Sequence, residues 1–244
     1  KQRSVRKKAV DNLRAFNIEG LVVIGGDGSL HAAYALYKEY GIKTINIPAS
    51  IDNDIYGTDY SIGFDTAVNT ALEAIDKIRD TATSHERVFV IEVMGRNNGF
   101  IALDVGLTAG AEAIIIPEVP YNLDAIGQKI RYGQQRGKSS FIIVVAEGAI
   151  KAEEVAAHLR KRTTLDVRVS ILGHMQRGGA PSALSREVAC KLGSRAVQLL
   201  MEGKSALMVG IISDKVVEIP TEEVARRKKK IDLAAYKLAN MLAT

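Results

Sequence analysis

Asp52 and Asp54 flank Asn53 in the run Ser50-Ile51-Asp52-Asn53-Asp54, and Asp27 lies inside Gly25-Gly26-Asp27-Gly28-Ser29. Carboxylates accept protons and hold Mg²⁺, while glycines let backbone N–H groups approach a polyphosphate closely. Each cluster closes a strand-like segment, the first of them the apolar run Leu21-Val22-Val23-Ile24. The two are therefore expected at the carboxyl ends of neighbouring parallel strands, where open α/β sheets keep their ligand crevice. Acids and glycines together suit phosphoryl transfer, which needs positioning and charge neutralisation more than covalent chemistry. The Gly-rich turn lacks the GxxxxGK[ST] pattern, so it is not a P-loop. Taken singly, it could be a tight bend and the acid pair an Asx-turn; three acids at two adjacent strand ends argue against turn chemistry alone.

A second set carries the opposite charge. Met94-Gly95-Arg96-Asn97-Asn98-Gly99 follows the apolar run Val88 to Val93. A permissive Gly beside an Arg suits an anion site where a helix begins, although an isolated Arg in such a loop more often caps local carbonyls. Glu147-Gly148 ends the run 141–146, and Leu172-Gly173-His174-Met175-Gln176-Arg177-Gly178-Gly179 ends a strand-like stretch containing Arg168. A lone His is usually structural, but this one shares a Gly-rich turn with Gln176 and Arg177. Acids and glycines on one side, with arginines, His and Glu on the other, describe a two-substrate cleft: a metal-bound polyphosphate facing a phosphorylated polyol.

The elements that must position these groups alternate in period along the chain. Residues 3–17 place Val5, Ala9, Leu13 and Phe16 on one helical face. Strands are expected at 21–25, 43–47, 87–93, 113–116, 141–146, 167–172 and 207–212, with helices at 30–40 and 65–80 and a loop at 48–64 punctuated by Pro48, Asn53, Gly57 and Gly63. Ile114-Ile115-Ile116 and Ile142-Ile143-Val144-Val145 lack alternation, as strands covered on both faces should. Strict β–α alternation implies parallel strands with right-handed crossovers. No linker divides the chain and no internal repeat is found, so two lobes sharing one cleft are expected.

Composition narrows the class. The 244 residues include 47% hydrophobic and 25% charged residues, ordinary for a water-soluble globular protein. No apolar run approaches the roughly 20 residues that span a bilayer. Cys190 is the single cysteine, which excludes an intrachain disulfide and suits a reducing cytoplasm. The net charge of +5 comes without Trp, and the runs Arg6-Lys7-Lys8 and Arg226 to Lys230 read as solvated helix faces. Neither nucleic acid nor membrane is an expected partner.

The chain resembles bacterial-type 6-phosphofructokinases, carried by GGDGS (25–29), SIDND (50–54), GTDYSIGFDTAVNT (57–70), MGRNNG (94–99), AEG (146–148) and LGHMQRGGAPSA (172–183) in order. The resemblance implies an α/β fold of two Rossmann-like lobes, mainly parallel sheets sandwiched by helices, with the active site in the cleft between them. It implies a nucleotide lobe at 1–63 and 177–225 and a sugar-phosphate and effector lobe at 64–176 and 226–244. The reaction implied is transfer of the ATP γ-phosphoryl group to the 1-hydroxyl of fructose 6-phosphate, a step of glycolysis in the cytoplasm.

By the same resemblance, Asp52 is the catalytic base, Asp27 organises Mg²⁺ and Asp54 supports the metal and its loop. Ser50 and Arg96 stabilise the phosphoryl group in flight. Gly25, Gly26, Asp27, Gly28 and Ser29 pack against the nucleotide phosphates. Met94, Gly95, Arg96, Glu147, His174 and Arg177 bind the sugar phosphate, and Arg87 and Arg168 reach its 6-phosphate from a neighbouring subunit, which implies a homotetramer. An effector site is implied at Arg79, Glu112, Arg136 and Lys138. Relatives that use pyrophosphate tend to carry an acid at the position of Gly28 and a Lys at that of Ala49, so ATP is the expected donor.

Some positions depart from the family pattern: Ser50 for a more common Thr, Leu30-His31-Ala32 beside the nucleotide turn, Ser185 where Asp is frequent, and Ser139 and Ser140 where basic residues are common. Family members also carry a further segment of roughly 75 residues before the first helix. It supplies another Gly-rich turn and part of the effector pocket. A non-catalytic fragment that binds sugar phosphate, or a pyrophosphate-dependent relative, is therefore the alternative expectation.

Overall fold

The computed structural model describes residues 2–85 and 87–243. The chain forms two compact units, one of residues 1–64 with 183–229 and the other of 65–182 with 230–244.

The first unit is built on strands β1 (Gly20–Gly25) and β2 (Lys43–Pro48), with β7 (Leu207–Ile212) and β8 (Lys215–Pro220) from later in the chain, in the order β1-β2-β7-β8. Strands β1, β2 and β7 run parallel, and β8 returns antiparallel on β7. Alternation along β2 turns Ile45 and Ile47 toward helix α7 (Ala183–Met201), which answers with Val188, Leu192, Ala196 and Leu199 at helical spacing. Each Ile, Val or Leu among them contributes about 1.5–3 kcal/mol by leaving water. Helices α1 (Gln2–Ala15), α2 (Asp27–Tyr40) and α8 (Thr221–Arg226) complete the unit, with Leu30, Met208, Ile219 and Val224 in a second apolar cluster.

The second unit holds β3 (Arg87–Val93), β4 (Ala113–Ile115), β5 (Phe141–Ala146) and β6 (Asp166–Ile171) in an all-parallel sheet of order β4-β5-β3-β6. Every residue of β5 is buried, as its unbroken apolar run requires. Helices α3 (Phe64–His85), α4 (Phe100–Thr108), α5 (Leu123–Gln135), α6 (Ala152–Leu159) and α9 (Leu233–Leu242) belong here. Ile130 of α5 and Val155 and Leu159 of α6 pack on Val88, Val90, Phe141 and Ile143. Asn122 starts α5 by accepting the N–H groups of Asp124 (2.9 Å) and Ala125 (3.1 Å).

Three expectations are corrected. The alternation of strands and helices fails at β7–β8, a hairpin whose Ser213 (φ 49°) and Asp214 (φ 62°) both take positive φ, as a two-residue turn demands. The units also divide elsewhere than at 177 and 225. Residues 177–182 belong to the second unit, where the Ser182 N–H donates to Thr66 Oγ1 (3.1 Å) and its hydroxyl to Asp65. Residues 226–229 stay with the first, where Lys229 Nζ donates to Asp59 O at 2.7 Å. Finally, Val5 of α1 and Phe16 just beyond it are exposed, and Val10 is the one buried residue among the helix's described side chains.

Candidate functional site

In the first unit, β1 and β2 pair in parallel with Gly25 opposite Pro48, so their carboxyl ends lie side by side. The Ala49 N–H donates to Gly25 O (3.0 Å), and a Cβ placed on Gly26 would stand 3.8 Å from Ser50 Oγ. This brings the Gly25–Ser29 turn and the Ser50–Asp54 loop together. Gly26 caps α2 with extended backbone and no side-chain oxygen, and a Cβ on Gly28 would meet nothing within 4 Å. The start of α2 thus offers its partial positive charge and a bare backbone to an anion. Asp27, the first residue of α2, is largely exposed, and its Oδ1 lies 3.3 Å from His31 Nδ1. His31 Nδ1 also lies 2.9 Å from Asp27 O, a carbonyl that can only accept, so Nδ1 carries the proton.

The acid-rich loop is fixed through its middle residue. Asn53, buried and at φ 51°, donates to Asp59 O (3.0 Å) and accepts the Ser61 N–H (2.9 Å). Ser61 Oγ donates to Ser50 O at 2.6 Å. Asn53 is therefore the fastener of the loop. It holds Asp52, 6% exposed, and the half-buried Asp54 on either side. The Asp52 N–H donates to Ser50 Oγ (3.2 Å).

In the second unit, three loops at the carboxyl ends of β3, β5 and β6 meet. Glu147 Oε1 accepts the N–H groups of Gly95 (3.2 Å) and Arg96 (2.8 Å), and Gln176 Oε1 accepts that of Met94 (2.9 Å). The Gly99 N–H, just before α4, donates to Glu118 Oε1 at 2.9 Å. A carboxylate of the protein thus stands where an anion at the start of α4 was expected. Gly95 (φ 140°) and Arg96 (φ 52°) make the reversal possible. Gly148 lets it pack, since a Cβ there would fall 2.0 Å from Arg96 O. His174 and Arg177 are exposed on the 3₁₀ turn Gly173–Arg177, three residues apart and so on one face.

Arg87 and Arg168 lie elsewhere. Arg87 opens the seven-residue β3 whose far end precedes Met94, roughly 20 Å away by strand rise. Both guanidinium groups reach Asp166 Oδ2, Arg87 at 3.2 Å and Arg168 at 2.7 Å. Their hydrogen bonds and charges, Arg168's foremost, hold the Asp166 carboxyl below its ordinary pKa.

Glu112, Arg136 and Lys138 do converge, on a cavity of about 460 Å³ also lined by Lys129, Tyr132 and Phe141. Lys138 Nζ pairs with Glu112 Oε1 at 2.6 Å, and the Arg136 guanidinium stacks over the Tyr132 ring at 5.6 Å. Burial pushes the Lys129 pKa down, with Lys138 adding to that and Glu112 opposing it. Arg79 is not among the lining residues; it donates to Ala109 O.

Sequence reasoning did not assign Glu118, Lys129 or Gln176 a role. Lys129 lies two turns of α5 before Arg136, a helical spacing that points to the same face. Glu118 and Gln176 carry no local signal, because each acts on a loop distant in sequence.

Among the described residues no group of three or more His, Cys, Asp or Glu forms a metal cage, and no helix is long and apolar enough to cross a membrane. An exposed Asp27 beside an uncapped helix start fits an ion held by one carboxylate, waters and substrate phosphates, which is how Mg²⁺ binds with nucleotides.

The phosphofructokinase family profile matches residues 1–200. The ATP-dependent 6-phosphofructokinase of Caldanaerobacter subterraneus subsp. tengcongensis is 51% identical over 244 residues, which is 100% of this chain and 76% of the relative. ATP-dependent 6-phosphofructokinase 1 of Thermus thermophilus is 52% identical over 240 residues, 98% of this chain and 74% of the relative. Among solved structures, phosphofructokinase from Saccharomyces cerevisiae superposes with a TM-score of 0.84 at 31% identity, over 99% of this chain and 36% of that one. The pyrophosphate-dependent phosphofructokinase from Marinobacter aquaeolei does so with a TM-score of 0.81 at 27% identity, over 98% of this chain and 70% of that one. The fold is an α/β phosphotransferase fold, with sheets flanked by helices and ligand-directed loops at the strand ends. The chain belongs to the phosphofructokinase family.

Proposed function

We propose that this chain moves the γ-phosphoryl group of ATP to the 1-hydroxyl of fructose 6-phosphate, giving fructose 1,6-bisphosphate and ADP. The observation that carries the reading is the register of β1 on β2, which sets the bare Gly25–Ser29 turn beside Ser50, the first residue of the loop that carries Asp52 and Asp54. The relatives at 51–52% identity bear the name of that activity.

In this reading the first unit binds the nucleotide. Gly25, Gly26, Gly28 and Ser29 receive the phosphates at the start of α2. Asp27 would hold Mg²⁺, supported by Asp54, and the ion would supply charge neutralisation at the phosphate oxygens. Asp52 takes the proton of the attacking hydroxyl, while Ser50 and Arg96 stabilise the group in transfer. Met94, Gly95, Glu147, His174 and Arg177 of the second unit bind the sugar phosphate. Arg87 and Arg168 serve the 6-phosphate in a neighbouring copy, within a homotetramer. The cavity at Glu112, Lys129, Arg136 and Lys138, together with Arg79, takes an anionic effector. Open space at Gly28 favours ATP over pyrophosphate, because nothing crowds the nucleotide there. The cytoplasm is the natural setting for this chemistry.

The test is ADP formation by the 244-residue chain from ATP and fructose 6-phosphate with Mg²⁺ present. Turnover is expected, and Asp52→Asn should lower kcat about 10²–10⁴-fold. Undiminished turnover in that variant would remove Asp52 as the base. Binding of fructose 6-phosphate without any turnover would favour the non-catalytic alternative.

A further inference from the structure

Gln176 is 1% exposed, and it sits between His174 and Arg177 on the 3₁₀ turn. Its Oε1 accepts the Met94 N–H at 2.9 Å. A backbone N–H can only donate, so this bond fixes which end of the carboxamide faces Met94. The other end, Nε2, is buried and meets no acceptor among the described residues. A protein keeps a buried amide with an orphaned donor only where the bonded end does something an apolar side chain could not.

What the bonded end does follows from the loops it joins. Glu147 ties the loop after β5 to Gly95 and Arg96. Gln176 ties the loop after β6, which carries His174 and Arg177, to the residue immediately before them. We propose that Gln176 is a positioning residue of the sugar-phosphate half-site: its carboxamide joins the 94–96 turn to the 173–177 turn, so that Arg96, His174 and Arg177 meet the ligand as one rigid set. The role rests on the function proposed above. Gln176 works through Met94 and need not touch the substrate.

Gln176→Met keeps the length of the side chain and suits a buried site, but its thioether is only a weak acceptor for the Met94 N–H. Calorimetry on the full chain should show fructose 6-phosphate binding weakened about tenfold, with Mg-ATP binding within about twofold of the parent. Placed on Arg177→Ala, the same change should add less than its separate effect, because one of the side chains it positions is gone. Sugar-phosphate binding within twofold of the parent, equal losses for both ligands, or fully multiplicative effects would each overturn the role. Should Gln176→Met fail to fold, amide hydrogen exchange in the unaltered chain decides: Met94 is expected to be strongly protected, and exchange at the free-chain rate would show that the bond does not form. An unaltered chain that binds no fructose 6-phosphate while Met94 stays protected would sink the functional reading and the positioning role together, but not the link between the two turns.

Discussion

At the start of α2, Gly26 caps the helix without a side-chain oxygen and Gly28 borders open space. At the start of α4, Glu118 already holds the Gly99 N–H, while Gln176 and Glu147 hold those of Met94, Gly95 and Arg96. Both segments are Gly-rich and both follow a parallel strand, yet the first meets no side-chain cap and the second commits its backbone donors to protein carboxylates and an amide. The lesson is that glycine content alone does not mark a phosphate cradle. Where protein carboxylates and amides fill the cradle, glycine serves a chain reversal, and recognition passes to side chains.

The sharpest way to break this contrast is to replace a glycine on each side of it. Gly148→Ala puts a carbon onto the Arg96 carbonyl, backbone against backbone, so the 94–96 reversal must move. The expected cost is roughly 3 kcal/mol in a urea titration, with loss of sugar-phosphate binding. An unchanged midpoint would mean that the reversal does not depend on this approach.

Removing one recognition side chain should act more mildly. Arg177→Ala is expected to raise KM for fructose 6-phosphate about ten- to a hundredfold, the worth of a hydrogen bond to a charged group. A fall in kcat with KM unaltered would contradict a binding role.

Gly28→Asp tests the open side. The new side chain has room, and a carboxylate in the first turn of α2 opposes the positive helix end, so thermal stability should hold or rise slightly. The same carboxylate stands where the phosphates belong, and KM for ATP should rise about tenfold. If ATP saturation is unaffected, the phosphates lie elsewhere.

The smallest expected effect concerns Asp166. Its folded pKa lies below the ordinary value, so whatever stability its pairing contributes is present above the unfolded pKa and fades as pH falls through the lower folded one. Arg168→Gln should move the Asp166 titration midpoint, followed by carboxyl NMR, up toward the usual aspartate value. A midpoint that stays put would mean that Arg168 is not the main cause.

Much of the first sheet was legible in the sequence because its determinants are local. An apolar run ending in glycine and acid specifies both the strand and what stands at its end, as β1 does before Gly26-Asp27. The hairpin to β8 was not legible, since Ser213-Asp214 lacks the Asn-Gly or Asp-Gly signature that usually announces a two-residue turn. The α1 face misled for another reason: helical spacing shows which residues share a stripe, but whether Val5 or Val10 meets a neighbour depends on where α2 lies. Glu118 and Gln176 were beyond reach because their bonds span loops that only the sheet order β4-β5-β3-β6 brings near.

Asp166, shared by Arg87 and Arg168, is in effect a resident counter-ion. It stops two neighbouring guanidinium groups from repelling each other in the empty protein and keeps both extended toward one spot. A phosphate arriving there would not fill a vacant positive hole; it would displace a carboxylate, trading one anion for another. Were the proposed 6-phosphate taken there, selectivity would come from the exchange: a dianion with three oxygens can outbid a single carboxylate, and a singly charged metabolite gains little by trying.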